Sequence, residues 1–357
     1  MAARAWATAT DKTENGNGSS TRKSAGGDGA IFFQNDAVSL CLLVQRRSKT
    51  MRVIDFRAGP TPAKRTLVLA LARREGVEKI YTVVERDEVA TWVKLGFAKE
   101  GNIPAFYKRS DAFLLGCSID DAPESKSGPP SSSQRVPVQS ERRLIIQGGP
   151  SLARASIASR AWLDLERVPL DDVEAPADTT AYDFAEKTLI RAKKLVKEAA
   201  ERALPAVKLS EIAEAQTRKP IGSALRSGRA LTAFEPFGRG AIRRYFALTA
   251  RGGFELVASA ESQACFGNAF LELLVSPRND SERAGTTGAL KALCERLQAD
   301  GTVGCFALAP SDDASLSAAF VYNGFRRTGV LQNHLVVGRE RKDAIVFARK
   351  LANPADE

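Results

Sequence analysis

The sequence predicts an α+β (α/β) protein made of two mixed-sheet domains, each flanked by helices and joined by a Pro/Ser-rich linker. Three observations lead there. Runs rich in β-branched and aromatic residues alternate with helical stretches in two separate blocks of the chain. Between the blocks, 120–140 (DDAPESKSGPPSSSQRVPVQS) is dominated by Pro, Ser and charge. The blocks also end alike: Gly96-Phe97, three residues, Gly101 in the first, and Gly324-Phe325, three residues, Gly329 in the second. Each copy of that pattern follows a strand and a short helix and leads into two strands, as an internal duplication would leave it. A length of 357 residues suits about two domains.

Residues 1–30 are rich in Gly, Ser, Thr, Asn and Lys with little to bury, which predicts a disordered tail. A weaker break at 171–180 leaves folded blocks at 31–119 and 180–352, with linker and connector over 120–179. In the first block, 38–46 and 50–57 read as a hairpin around the polar turn Arg47-Ser48-Lys49. Pro62 at its start and Gly76 just beyond its end bracket a buried helix over 62–74. A strand over 79–84 (KIYTVV), a short helix over 87–95 stopped by Gly96, and a strand pair over 103–107 and 112–119 complete the block.

The second block opens on an amphipathic helix. Tyr182, Ala185, Leu189, Ala192, Val196, Ala199 and Ala203 recur at spacings of three and four, and Pro205 ends the run. A polar helical region over 209–227 follows, interrupted by Pro220 and Gly222. Strands are expected over 244–250, 254–259 and 269–276, with Arg251-Gly252-Gly253 as a hairpin turn. A helix over 287–299 buries Leu290, Leu293, Cys294 and Leu297. A strand over 303–309, a helix over 315–323 capped by Ser315, and strands over 330–337 and 344–351 close the chain.

Composition narrows the function classes. No stretch approaches the ~20 apolar residues that span a bilayer, and 1–30 has no apolar core of a secretory signal. Five scattered cysteines, Cys41, Cys117, Cys265, Cys294 and Cys305, form no CxxC pair and read as reduced thiols of a cytoplasmic protein, with no zinc site. His334 is the single histidine, so no two-histidine metal site is expected. With 52 Lys and Arg against 42 Asp and Glu the net charge is +10, which suits nucleic acid, a phosphate-rich small molecule, or solubility alone.

The second block, helix, helix, three strands, helix, strand, helix, two strands, resembles the GNAT acyltransferase fold over 180–351. Its stretch SLSAAFVYNGFRRTG (315–329) is similar to that family's helix-into-Gly-Phe signature. The first block resembles the later part of the same fold without its opening helices. The resemblance implies a tandem of one truncated and one complete copy.

That family's Arg/Gln-x-x-Gly-x-Gly/Ala loop seats a diphosphate on the backbone N–H groups of a helix N-terminus. The matching stretch is Arg283-Ala284-Gly285-Thr286-Thr287-Gly288-Ala289, in which Arg283 and Gly288 fit the pattern and Thr286 replaces the middle glycine. It is expected as a loop ahead of the helix carrying Leu290. The corresponding 59–65 (GPTPAKR) has two prolines, which lack the donor N–H, so no coenzyme site is expected in the first copy; its Lys64 and Arg65 read as a solvated basic turn.

The resemblance implies an N-acyltransferase in which an amine attacks the thioester of acetyl-coenzyme A directly. Leu273, Leu274 and Val275 on the fourth strand would pair with the pantetheine arm and supply the oxyanion N–H. Glu272 on the same strand is the candidate proton acceptor. Where many members carry a tyrosine acid this sequence has Phe320, and Trp92 in the first copy. Tyr322, two residues on, points about 200° away on a regular helix and serves as the acid only if the helix end is distorted. His334 is expected near the acceptor side. The alternative is a catalytically inert GNAT-like scaffold. From Tyr182 to Arg244 there are 14 Lys/Arg against 7 Asp/Glu, a basic stretch suited to an acidic protein or nucleic acid, or simply a wet face.

Overall fold

The computed structural model describes residues 30–35, 38–57, 59–107, 110–119, 179–199, 203–263 and 266–352. The expected tail over 1–30 except Ala30, which opens a strand, nearly all of the linker and connector, and Cys265 lie outside the described residues.

In the N-terminal half, β1 (Ala30–Gln34), β2 (Ser39–Gln45) and β3 (Thr50–Asp55) form an antiparallel meander. Helix α1 (Pro62–Arg74) starts on the expected proline and crosses to β4 (Lys79–Val84), parallel to β3. A 3₁₀ turn (Arg86–Glu88) and α2 (Val89–Lys94) lead to β5 (Ala98–Ile103) and β6 (Ala112–Ser118). The sequence expectation put the penultimate strand at 103–107. Those residues are mostly a turn, with Ala105 at φ 50°, and the strand precedes them, held by pairing with β6 although AKEGNI has little β propensity.

The C-terminal half opens with α3 (Thr179–Ala199), which buries Ala185, Leu189 and Ala192. Strand β7 (Val207–Ile212) follows; the polar helix expected from 209 begins only at α4 (Glu214–Arg226), because VKLSEI pairs along its whole length with β8 (Ile242–Ala250). The turn from β8 to β9 (Phe254–Ser262) uses Gly252 and Gly253 at φ 84° and 80°, a region only glycine enters without strain. Then come β10 (Asn268–Leu273), α5 (Asp280–Ala299), β11 (Gly304–Pro310), α6 (Ala314–Tyr322), β12 (Arg326–Val337) and β13 (Glu340–Lys350).

The thirteen strands among the described residues form one mixed sheet, ordered β1-β2-β3-β4-β6-β5-β12-β13-β11-β10-β9-β8-β7. The N-terminal half reads β1-β2-β3-β4-β6-β5 and the C-terminal half β8-β9-β10-β11-β13-β12, the same order with the same pairing senses, a single parallel step falling at β3·β4 and at β10·β11. The halves join where Gly101 of β5 pairs with Gly329 of β12, the last glycines of the two matching patterns. A Cβ at Gly101 would sit 2.9 Å from the Gly329 Cα, so the seam closes only with glycine on both sides.

Helices α3, α5 and α6 cover one face of the C-terminal sheet around Leu271, Leu290, Leu293 and Phe347. The opposite faces of the halves meet in an aromatic core of Tyr81, Phe106, Phe237, Phe270 and Phe306. Lys64 is 1% exposed and bonded to Asp55, Arg57 O and Gly59 O, which corrects the expected solvated turn: the ammonium closes the loop before α1.

Candidate active site at the seam

Strands β10 and β11 pair from Asn268↔Gly304 to Leu271↔Ala307 and then part. Past that point β10 stays with β9, the Leu274 N–H donating to Val257 O at 2.9 Å, while β11 continues along β13 to Pro310↔Ala344. Because a ladder alternates, the Leu273 N–H lies on the edge turned toward β11. The end of β10 is also covered by the chain after α4: Leu231 N–H donates to Leu274 O at 2.9 Å and Ala230 bridges Val275.

Glu272 stands at this parting point, on the face away from α5. Its carboxylate accepts from the Thr232 hydroxyl and from Ser259 Oγ at 3.2 Å, and Arg243 Nη2 lies 3.4 Å away. Burial outweighs these partners and pushes its pKa up to about 6. Thr232 Oγ1 also accepts from Phe234 N at 2.8 Å, holding Phe234 at φ 58°. A bulky residue held there is strained by about 1–3 kcal/mol, which over-determined structure sustains at working sites. Arg243 bonds Glu261 as well, and Glu261 in turn accepts from Phe237 N at 3.0 Å.

A cavity of about 60 Å³ opens beside Glu272, between the halves. The C-terminal half contributes Thr232, Glu272 and His334, and the N-terminal half Arg47 and Tyr81. His334 reaches it because β12 bulges between Leu331 and Leu335 against β13, with Asn333 at φ 48°. The imidazole is buried edge-on to Tyr81, ring centroids 4.8 Å apart. Burial, then Lys79 and Arg341, push its pKa down to about 3, so it is neutral. Burial raises Tyr81 above the usual phenol range, so it stays protonated. Neither Tyr81 Oη nor His334 Nδ1 has a hydrogen-bond partner among the described residues. Arg47 crosses the seam to donate to Leu231 O at 3.1 Å and Val336 O at 2.9 Å.

The expected diphosphate loop is not a loop. Asn279 caps α5 by accepting from Glu282 N at 2.8 Å, and Arg283 to Ala289 lie in the second and third turns. Their N–H groups turn inward along the helix. Gly285 and Gly288 serve packing instead: a Cβ at Gly285 would run into the Phe254 ring, and one at Gly288 would meet Pro205 O at 2.9 Å. The first turn carries Asp280 and Glu282, paired with Arg283 at 3.0 Å and Arg229 at 3.2 Å. Tyr322 is separated from Glu272: it lines a second cavity, about 80 Å³, with Arg283, Thr287 and Ala318 beneath the end of α3. Phe320 is stacked on Phe347 in the core. Leu273 and Leu274 are buried and Val275 half-buried.

The site therefore unites Glu272 and Leu273 with His334. Sequence reading missed Arg47, Tyr81 and Thr232; their only signal was polarity inside strand-like or loop segments, far from Glu272 in the chain. Among the described residues no group of three or more His, Cys, Asp or Glu could hold a metal ion, and no helix is long and apolar enough to cross a membrane.

No protein-family model matches the sequence, and no curated protein matches it. Solved structures do. The ribosomal-protein-S18-alanine N-acetyltransferase from Escherichia coli is 21% identical, over 42% of this chain and 97% of its own, with a TM-score of 0.31. An N-acetyltransferase from Staphylococcus aureus is 10% identical over 41% and 97%, TM-score 0.33. The spermidine N-acetyltransferase from Vibrio cholerae, in complex with CoA and spermine, is 9% identical over 41% and 96%, TM-score 0.34. This chain is thus a mixed α/β protein whose structural neighbours are N-acetyltransferases, each matched over nearly its whole length.

Proposed function

We propose that the C-terminal half is an N-acyltransferase moving an acetyl group from coenzyme A to an amine. The observation that carries this reading is Glu272: a buried carboxylate with a pKa of about 6, beside a cavity, where two parallel strands part. A base poised near neutral pH is what an attacking amine requires. The amine nitrogen bonds to the thioester carbon, its proton passes to Glu272, and the C–S bond breaks to release the thiolate, which takes a proton from solvent. The Leu273 N–H, on the edge facing the gap, meets the developing oxyanion. The pantetheine arm runs past Leu273, Leu274 and Val275. Within 283–289 the coenzyme is held chiefly by the Arg283 side chain, because the amides are inside α5 and Gly285 to Ala289 are buried. We further propose that the two halves are a truncated and a complete copy of one unit, which their common strand order supports.

Two assays test this. Acetyl-coenzyme A should raise the melting temperature, since a ligand that binds only the folded state stabilises it, and free thiol should appear with an acceptor from a panel of amines. Glu272→Gln should keep the thermal shift and lose the thiol. No shift at millimolar coenzyme removes the reading.

One observation favours a second reading, an inert scaffold: Asp280 and Glu282 occupy the turn where a diphosphate would be drawn to the helix end. In it, the exposed Lys187, Arg191, Lys194 and Lys197 of α3 form the contact face for an acidic protein or nucleic acid. Absence of coenzyme binding by the Asp280→Asn variant as well would select it.

A further inference from the structure

We infer that Arg47, from the first half of the chain, is a positioning residue for Glu272: it fixes the strap 230–237, which covers the end of β10, so that the Thr232 hydroxyl stays seated on the carboxylate. What Glu272 is used for rests on the acyl-transfer reading; the seating rests on the bonds of the strap alone. Arg47 lies in the turn between β2 and β3. Its guanidinium forks onto three backbone carbonyls of the other half, Ala230 O, Leu231 O at 3.1 Å and Val336 O at 2.9 Å. Ala230 and Leu231 are buried, where a carbonyl left without a partner costs its hydration. The Ala230 carbonyl and the Leu231 N–H share one peptide unit, held by Arg47 on one side and by Leu274 O, at 2.9 Å, on the other. The Leu231 carbonyl belongs to the next unit, which carries Thr232. Thr232 Oγ1 donates to one carboxylate oxygen of Glu272, while Ser259 Oγ and Arg243 approach the other, so the strap and the sheet hold one oxygen each.

The same hairpin holds the strap beyond Thr232. Past Phe234, whose φ is 58°, Arg47 N donates to Glu235 Oε1 at 3.1 Å, Gln45 Nε2 to Pro236 O at 3.1 Å, and Arg52 to Phe237 O. Strain of this kind persists only where its surroundings over-determine it, and here bonds from β2, β3 and their turn bracket it on both sides. Without the fork of Arg47 the strap relieves Phe234 by letting Thr232 swing away from Glu272. A charge-assisted bond favours the ionised carboxylate, so losing the Thr232 hydroxyl raises the pH at which Glu272 gives up its proton. Arg47→Lys separates geometry from charge. A lysine ammonium keeps the charge and does not reproduce the planar fork. The other charges near Glu272, on Arg243 of β8, Glu261 of β9 and Glu235 of the strap, are untouched, and Tyr81, Tyr245 and His334 stay uncharged near neutrality.

The titration of Glu272 itself is the readout. In the full-length protein with carbon-13 in its glutamate carboxyls, the Glu272 signal by NMR is the one missing from Glu272→Gln, and its midpoint in the wild type should lie at about pH 6. Arg47→Lys and Thr232→Val should each raise that midpoint by about 0.5 or more, a threefold or greater gain in proton affinity. Thr232→Ser, which keeps the hydroxyl, should stay near the wild type. Two residues on one path are not additive, so Arg47→Lys should move the midpoint no further once Thr232→Val is in place. Cooperative melting verifies the fold of each variant, and Thr232→Ala is the second variant without the hydroxyl. An unmoved or lowered midpoint in Arg47→Lys, an unmoved one in both Thr232→Val and Thr232→Ala, or shifts that add in the double variant overturn the positioning role. Thiol release plays no part in these titrations, so the two proposals fail separately. Coupled midpoints in a protein that releases no thiol from acetyl-coenzyme A remove acyl transfer and leave Arg47 in its role. Additive midpoints in a protein that does release it remove the role of Arg47 alone.

Discussion

Replacing Glu272 by Gln should remove a loss of stability that sets in as pH rises, and should stop the proposed turnover. Burial raises the folded pKa of Glu272 from 4.5 to about 6. A carboxyl raised in this way holds its proton more tightly folded than unfolded. Its favourable contribution is complete below the unfolded value and is lost as pH rises through the folded one. The rise of about 1.5 units, at 1.36 kcal/mol per unit, means that ionised Glu272 costs about 2 kcal/mol at pH 7.5 relative to acid. Glutamine is isosteric and does not ionise. Its amide keeps the bond from Thr232 and mismatches Ser259 or Arg243, a penalty that is the same at both pH values and cancels between them. Urea unfolding of both proteins at about pH 7.5 and about pH 4 should therefore show the variant gaining about 2 kcal/mol on the wild type between the acid and the neutral condition. Turnover should fall by about 10²–10⁴-fold, the usual worth of a general base. Equal pH dependence in the two proteins, or a variant losing ground at neutral pH, would refute the assignment of Glu272 as a strained, desolvated carboxylate.

Gly329→Ala drives a Cβ into the backbone of β5, which cannot rotate aside; overpacking of about 1–3 kcal/mol or more should appear as a lower melting temperature by calorimetry, and an unchanged transition would mean the seam is loose. Lys64→Met leaves Asp55, 5% exposed, without its ammonium and should cost about 3–5 kcal/mol. Adding Asp55→Leu should recover much of that in urea unfolding, and a double variant no better than the single would show that the pair is not the cause. Asp280→Asn frees Arg283, 3.0 Å away, and lifts one like charge from the first turn of α5. Coenzyme titrations at low salt should tighten about two- to fivefold and lose that gain at high salt, while unaltered affinity would place the diphosphate elsewhere.

Local punctuation made much of this fold legible. Pro62 and Gly76 bracket α1 where the chain starts and stops it, and KIYTVV is β4 to the residue. The misreadings share a physical cause. AKEGNI is a strand because β6 and Gly329 pair with it, and nothing local in it says so. The stretch 283–289 read as a loop because its Arg283 and Gly288 match the Arg/Gln-x-x-Gly-x-Gly/Ala pattern. Gly285 and Gly288 are instead the places where Phe254 and Pro205 press against α5, so their absence of side chain is used for packing and not for a ligand. Lys64 read as solvated because its partner carbonyls, Arg57 and Gly59, are backbone groups without a sequence signature.

The site was legible by half for the same reason. Glu272 could be found because it lies on the strand that carries Leu273, and His334 because it is unique. Tyr81 and Arg47 could not, since what places them at the candidate site is the meeting of the two halves around one cavity. That meeting also gives the N-terminal half a part in the candidate site. Its meander β1–β3 and strand β4 would expose Tyr81 and Arg52, one aromatic and one charged, if they stood alone. Against the C-terminal half, Arg52 reaches the Phe237 carbonyl and lies over its ring, 4.3 Å from the centroid, and Tyr81 closes the cavity beside Glu272. Arg47 then binds the segment that covers the end of β10. On the proposed reading, the first half is a wall of the cavity that shields Glu272: opening that side to water would return its pKa toward the ordinary carboxylate range and leave the proposed base less well poised near neutrality.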